Sequence, residues 1–264
     1  MRTSLAIALA LVFPCLAQPQ QPSPPSAGSA KVWVGRYAEF EQFLKTARIV
    51  RTQAIDTGIT RPVRVYFVPG GVAASAVMKD IDEGIRALRL DTYRSEIAAY
   101  ELDKILGLDM VPPTVERVID GTPRSVQLFV EGTRSLKKAA GEKKAAQDVL
   151  TWNREVYRMR VFDNLIVNID RNEGNMLVDA QWRIVLIDHS RAFDGRRTDF
   201  QFEMTKIDRA FFEKLKALDK TALEERVHQW TSFSVDAILK QRDRIVKHFE
   251  SLIAKQGEAS VILQ

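Results

Sequence analysis

Residues 168–175, Asn-Ile-Asp-Arg-Asn-Glu-Gly-Asn, form a polar loop followed by two short apolar runs, Asn175–Val178 and Arg183–Ile187, and then by Asp188. The runs predict a hairpin whose second strand closes on a carboxylate. The loop before them places Asp170 five residues ahead of Asn175. Phosphoryl transfer needs these residue types: one acid to orient or deprotonate an acceptor hydroxyl, and oxygen ligands for metal ions that bridge the phosphates. Two plainer readings compete. Asn172 and Gly174 are turn formers, so the stretch also fits a loop without chemistry, and Asp188 fits a turn or cap. A calcium loop would use Asn168, Asp170, Asn172 and Asp179 as positions 1, 3, 5 and 12. It fails on register, because Glu173 stands where Gly is needed and position 12 is Asp instead of Glu.

Upstream of the loop, Ala146, Leu150, Tyr157, Val161 and Leu165 mark a long amphipathic helix. From about Asp208 onward the pattern reads as three helices, one opened by the capping pattern Thr221-x-x-Glu224. The first half of the chain has another character. Trp33, Val34, Tyr37, Phe40 and Leu44 recur at helical spacing, and three runs follow with strand character: Arg48–Ile55, Arg61–Val68 and Val72–Ile81. Asp56-Thr57-Gly58 and Pro69-Gly70-Gly71 separate them. A helix from an N-cap at about Asp91 to Leu106 stops at Gly107, and strands Thr114–Ile119 and Arg124–Val130 join at Asp120-Gly121, a strong hairpin signal. The fold class that follows is α+β in two lobes. A small β-rich lobe with one main helix covers residues 31–132, a mostly helical lobe covers 133–264, and they connect near Val130–Thr133. A cleft between lobes is a favoured place for a ligand.

Composition narrows the function. The 264 residues are 45% hydrophobic and 28% charged, close to globular averages, which excludes fibrous repeats and general disorder. Lys plus Arg number 39 against 34 Asp plus Glu, and this thin excess forms no basic stripe with interleaved aromatics, so nucleic acid is not expected as a partner. Three His and one Cys leave no room for a zinc finger or a disulfide framework. No G-x-S-x-G or H-E-x-x-H occurs, so esterase and zincin chemistry lack support.

The N-terminus has its own logic. One positive charge precedes Leu5–Phe13, nine apolar residues; Pro14 breaks the run, and Cys15 and Ala17 offer small side chains before Gln18. This is the layout of a secretory signal peptide over residues 1–17, too short to span a bilayer. A lipid anchor at Cys15 is disfavoured, because Phe13 and Pro14 are not small. Residues 18–30 hold four of the ten prolines and no charge, and read as a disordered Pro/Gln/Ser linker. A secreted or periplasmic monomer without a transmembrane span is expected.

Two more residues complete the chemical set. Lys79 lies on the third predicted strand, in Ala76-Val-Met-Lys79, and Glu96 lies one turn into the next helix, able to face back toward it. Each alone is as well explained by a solvated surface. With Asp170, Asn175 and Asp188 they supply a phosphate-binding cation, its acidic brace, an acid/base and two oxygen ligands in chain order. At this point the chain resembles the atypical branch of the protein-kinase-like superfamily, which includes phosphoinositide 3-/4-kinases, bacterial toxin-type serine kinases and secretory-pathway kinases. The resembling segments are GITRPVRVYFVPGG…AVMKD (58–80), SEIAAYELDKILGLDMVPPTVE (95–116), DNLIVNIDRNEGNMLV (163–178) and IDHSRAF (187–193), within roughly residues 48–195. Asp170-Arg171 with Asn175 beyond is nearer this branch than the His-Arg-Asp of ordinary protein kinases.

The resemblance implies a two-lobed kinase-like fold that uses ATP with Mg2+ or Mn2+. It implies Lys79 on the phosphates, Glu96 as its brace, Gly58 and Glu131 as further nucleotide-binding positions, Asp170 as catalytic acid/base, and Asn175 and Asp188 as metal ligands. There are departures. No G-x-G-x-x-G loop is present, only Gly58 at the first turn; the metal motif reads Asp188-His189-Ser190 instead of Asp-Phe-Gly; and no Ala-Pro-Glu segment follows. A regulated activation loop and an extended peptide groove are therefore unsupported, and His189 is read as a packed or solvated side chain before a base. The expected function is an exported ATP- and metal-dependent kinase acting on a hydroxyl of a protein, sugar or small molecule. The alternative is an extracytoplasmic pseudokinase, the same fold serving as a binding or scaffolding module.

Overall fold

The computed structural model describes residues 29–55, 62–81, 92–195, 197, 199–231 and 233–264. The signal peptide, all but the last two residues of the linker, Gly58 and the expected cap Asp91 lie outside the described residues. In chain order, helix α1 (Tyr37–Thr46) leads into strands β1 (Ile49–Ala54), β2 (Val63–Phe67) and β3 (Ser75–Lys79). Helix α2 (Tyr93–Leu106) and strands β4 (Thr114–Ile119) and β5 (Thr122–Leu128) complete the first lobe. Then come β6 (Arg134–Ser135), α3 (Leu136–Gly141), α4 (Val149–Leu165), β7 (Met176–Val178), β8 (Ile184–Leu186) and β9 (Ile207–Asp208). The chain ends with α5 (Arg209–Ala217), α6 (Lys220–Arg226), a single 3-10 turn, α7 (Val235–Gln256), α8 (Glu258–Val261) and β10 (Ile262–Leu263). This is a mixed α and β fold, with a sheet lobe followed by a helical lobe.

The sheet is antiparallel in the order β1-β2-β3-β5-β4. Alternation along β2 turns Val65 and Phe67 inward, and β3, flanked by strands on both sides, buries four of its five residues. The β4–β5 hairpin turns through Asp120 (φ +52°) and Gly121 (φ +76°), the paired left-handed conformations that match strand twist in a two-residue loop. Phe40 and Leu44 of α1 cover the sheet together with Trp33, which is fully buried. Trp33 does not belong to that helix. Gly35, at φ +77°, turns the chain, and α1 starts only at Tyr37.

Two apolar cores result. One lies under the sheet around Trp33, Val65, Met78 and Val126; the other joins Phe162, Leu165, Phe211, Ile245 and Phe249 of the helical lobe. Helix α2 bridges them in an unexpected way. Ten of its 14 residues are buried, and Ala98, Ala99, Tyr100, Leu102 and Leu106 pack into the helical-lobe core, although the helix sits among the strands in sequence. Its ends are well defined. Thr92 accepts from the Arg94 N–H at one end, and Gly107 (φ +60°) closes the other. The segment before α1 also ties the lobes together. The Ala30 N–H donates to Asp179 at 3.3 Å, and Lys31 forms a buried ion pair with Glu155 of α4 at 3.3 Å.

Two local expectations differ from what the chain does. Leu150 continues the apolar stripe of α4 in sequence, yet it is 82% exposed, because the helix begins at Val149, capped by Asp148, and its first turn projects beyond the core. Helix α6 is capped by Asp219, which accepts from the Ala222 N–H at 2.8 Å, so Thr221 falls inside the helix and Glu224 pairs with Lys220 at 3.6 Å.

Candidate active site

Lys79 ends the central strand β3, and Glu96 stands in the first turn of α2. The Lys79 Nζ donates to Glu96 Oε1 at 2.5 Å and to Asp188 Oδ1 at 2.7 Å. Lys79 and Glu96 are almost fully buried, while the Asp188 side chain keeps 30% of its exposure. Burial disfavours the charged amine of Lys79, but Glu96 and Asp188 outweigh it and hold its pKa above the usual lysine range. Burial likewise works to raise the Glu96 carboxyl, and the Lys79 charge with hydrogen bonding from His189 overrides it, holding the group well below the carboxylate range. The His189 backbone N–H donates to Glu96 Oε2 at 3.0 Å.

Asp188 reaches this cluster because the chain turns sharply after β8. Its φ is +60°, a left-handed conformation that non-glycine residues adopt at a cost, and Asp is among the side chains that tolerate it. The turn lets residue 188 face Lys79 while the N–H of residue 189 meets Glu96.

A second network, not foreseen from the sequence, fixes the 168–175 loop beneath the hairpin. Arg171 is 1% exposed and grips the fully buried Asp163 through two hydrogen bonds of 2.8 and 3.1 Å. The same guanidinium donates to the carbonyls of Asn175 (2.7 Å) and Ile187 (2.8 Å), and to His189 Nε2 (2.8 Å). Arginine can only donate, so Nε2 accepts and the proton of a neutral imidazole sits on Nδ1, 3.7 Å from Glu96. Burial keeps His189 below its usual pKa, consistent with that neutral form. His189 is thus a packed side chain. The signal available for the network was Arg171 itself, directly after Asp170; that Asp163 would be its partner depends on where α4 ends.

Within the loop, Asn168 Nδ2 donates to Asp163, and the Gly174 N–H donates to Asn172 Oδ1 at 2.9 Å. The Asn175 Nδ2 donates to the Asp170 carbonyl at 3.1 Å, which leaves its amide oxygen as the acceptor available to a ligand. The Asp170 carboxylate is 39% exposed and accepts from Arg191 at 3.0 Å. Asp179, the last position of the calcium reading, is buried and instead receives the backbone N–H groups of Gln181 and Arg183.

Between the sheet and the loop lies a cleft of about 390 Å³, walled by Val77, Phe129 and Leu177 and carrying Lys79, Asn175 and Asp188 on one side. The structure therefore brings Lys79, Glu96 and Asp188 into direct contact and sets Asn175 in the same cleft. Asp170 is not part of the cleft wall. Glu131 is not either: its side chain is largely exposed and binds Arg64 at 2.5 Å, while the Arg64 guanidinium lies 3.4 Å from the Phe129 ring centre. Gly58 falls outside the described residues. Among the described residues no three His, Cys, Asp or Glu side chains cluster as a closed metal cage. One carboxylate and one amide oxygen fit Mg2+ or Mn2+, hard cations that complete their shells with water and phosphate oxygens.

No protein family matches the chain in sequence, and no curated protein is similar to it. Its fold has clear relatives among solved structures. A five-stranded sheet lobe with one main helix, followed by a mostly helical lobe and a cleft between them, is the protein-kinase-like fold. Similar structures include hydra Fam20 with sugar, at a TM-score of 0.65 and 13% identity over 86% of this chain and 92% of that one. The Golgi casein kinase gives a TM-score of 0.59 and 16% identity, covering 85% of this chain and 78% of that one, and its Mn/ADP-bound form matches equally well.

Proposed function

We propose that this chain is an exported ATP- and metal-dependent phosphotransferase that acts on a hydroxyl acceptor. The observation that carries the reading is the Lys79–Glu96–Asp188 cluster at one side of an interlobe cleft of ligand size. The Mn/ADP-bound form of the similar Golgi casein kinase supports a nucleotide and a divalent cation as the occupants. Among the described residues no helix is long and apolar enough to cross a membrane.

Lys79 neutralises charge on the phosphates, and Glu96 holds its ammonium in place. Asn175 and Asp188 would hold the metal, which when bound supplies neutralising charge at the phosphate oxygens. Asp170, accessible at the loop, takes the acceptor proton once Arg191 releases its carboxylate. The apolar wall, with Val77, Phe129 and Leu177, receives a flat base.

The roles separate on mutation. Asp188→Ala weakens metal–ATP binding and turnover together, because it removes a ligand of the metal. Asp170→Asn leaves binding nearly unchanged and lowers turnover by about 10²–10⁴, the usual worth of a positioned acid/base. The paired assay is calorimetric binding of Mn–ATP, and transfer from labelled ATP to a panel of hydroxyl acceptors. Absence of metal-dependent ATP binding in the intact protein overturns the reading and leaves a scaffolding module. Unchanged turnover in Asp170→Asn removes that residue's role.

A further inference from the structure

A second cavity, of about 760 Å³, opens on the helical lobe between the approach to α4 and the β7–β8 turn. Its size is that of a small-molecule site. Arg134, Lys144 and Arg183 line it, with Trp182, Gln181 and Thr151. Its one carboxylate, Asp148, is already engaged as the cap of α4, accepting from the Leu150 and Thr151 N–H groups and the Thr151 hydroxyl. Lys144 is paired with Glu142 at 2.8 Å. Neither Arg134 nor Arg183 has an ion pair among the described residues.

Three features go beyond a basic patch. The Arg134 Nε is buried and has no hydrogen-bond partner among the described residues. Trp182 is held at φ +60°, a conformation unusual for a bulky residue, and its turn is fixed by Asp179, which accepts from the N–H groups on either side of it at 2.9 Å. The ring stands perpendicular to Trp152 at 5.6 Å, and Arg134 lies 5.7 Å from its centre. A rigid aromatic wall beside two guanidinium groups without ion pairs among the described residues suits a tetrahedral oxyanion attached to a ring, since the two terminal amino groups of a guanidinium can meet two of its oxygens at once.

We propose that this cavity is a second ligand site, separate from the nucleotide cleft, for a ring-bearing phosphate or sulfate monoester. Arg134 lines both cavities, so the two sites share a wall.

The test is calorimetric titration of the mature protein with phenyl phosphate, phenyl sulfate, inorganic phosphate and phenol. One or both esters bind saturably, phenol does not, and inorganic phosphate binds at least tenfold more weakly than phenyl phosphate; the preferred ester identifies the oxyanion. Arg183→Gln, which touches the second cavity and not the first, weakens ester binding roughly tenfold or more, the worth of a charge-assisted hydrogen bond. Asp188→Ala leaves it unchanged. The proposal fails if neither ester binds, if Arg183→Gln has no effect, or if Asp188→Ala abolishes binding, which would place the ester in the nucleotide cleft. Equal binding of inorganic phosphate would refute the aromatic part of the site.

Discussion

Lys79→Met takes the ammonium away from Glu96 and strands a carboxylate whose side chain is 2% exposed. What remains beside it is the His189 backbone N–H at 3.0 Å and a neutral imidazole. Removing one partner of a buried ion pair costs about 3–5 kcal/mol, and the poor access of Glu96 to water places this variant in that range. Glu96→Gln is milder, about 2 kcal/mol, because Lys79 keeps Asp188 at 2.7 Å and the amide oxygen still accepts from His189. The double variant does not add the two losses, since both remove one interaction.

The same substitution has a pH signature. In the intact protein the Glu96 carboxyl is held low, so its contribution to stability is present above the unfolded value near 4.3 and is lost as pH falls below it. In Lys79→Met burial is no longer outweighed, the carboxyl rises, and the variant loses stability as pH climbs through the raised value. The gap between the two proteins therefore widens from pH 5 to pH 8. Equilibrium urea unfolding at several pH values measures it. A gap below about 1 kcal/mol that does not change with pH would mean the pair is worth no more than a surface contact, and would refute the reasoning.

Two further expectations use other parts of the molecule. Burial, with Asp109 beside it, pushes the Asp103 carboxyl up to about 8, so the folded chain keeps a proton there that the unfolded chain releases near pH 4. Its contribution is full below about pH 4 and is lost as pH rises to about 8. Asp103→Asn should flatten the decline in urea midpoint over that window, and an unchanged slope would count against a protonated Asp103. Arg171→Lys keeps the charge but cannot reach Asp163, two carbonyls and His189 at once. It should lower stability by about 2–4 kcal/mol and loosen the 168–175 loop, read as faster amide exchange at Asn175 and Ile187. Wild-type exchange there would show that the fork does not hold the loop.

Much of the fold follows from short-range patterns. The alternation of Val63, Val65 and Phe67, the Asp120-Gly121 turn and the Gly107 stop act within a few residues, and those elements form within one or two residues of their expected bounds. The cluster of Lys79, Glu96 and Asp188 was legible because each residue type stood on the right kind of element. Other features depend on contacts remote in sequence. The side of α2 that joins the helical-lobe core is set by α5, α6 and the 3-10 turn, far along the chain. Leu150 has an apolar side chain but no neighbour to cover it, and periodicity cannot report a missing neighbour. Asp219 wins the α6 cap over Thr221 by two residues, a margin below what a capping pattern resolves. The partners of Arg171 come from three elements, so no local spacing encodes them.

Helix α2 is clamped between the sheet and the core of the other lobe. The charge pair it carries is consequently set when the chain folds. Swinging Glu96 out to disable the site would expose Ala98, Leu102 and Leu106 to water, a cost comparable to unfolding part of the molecule. A protein built this way has no inexpensive off position at this helix. For a site that works as proposed above, control then falls on supply: how much ligand reaches the cleft, and how long each copy of the chain survives.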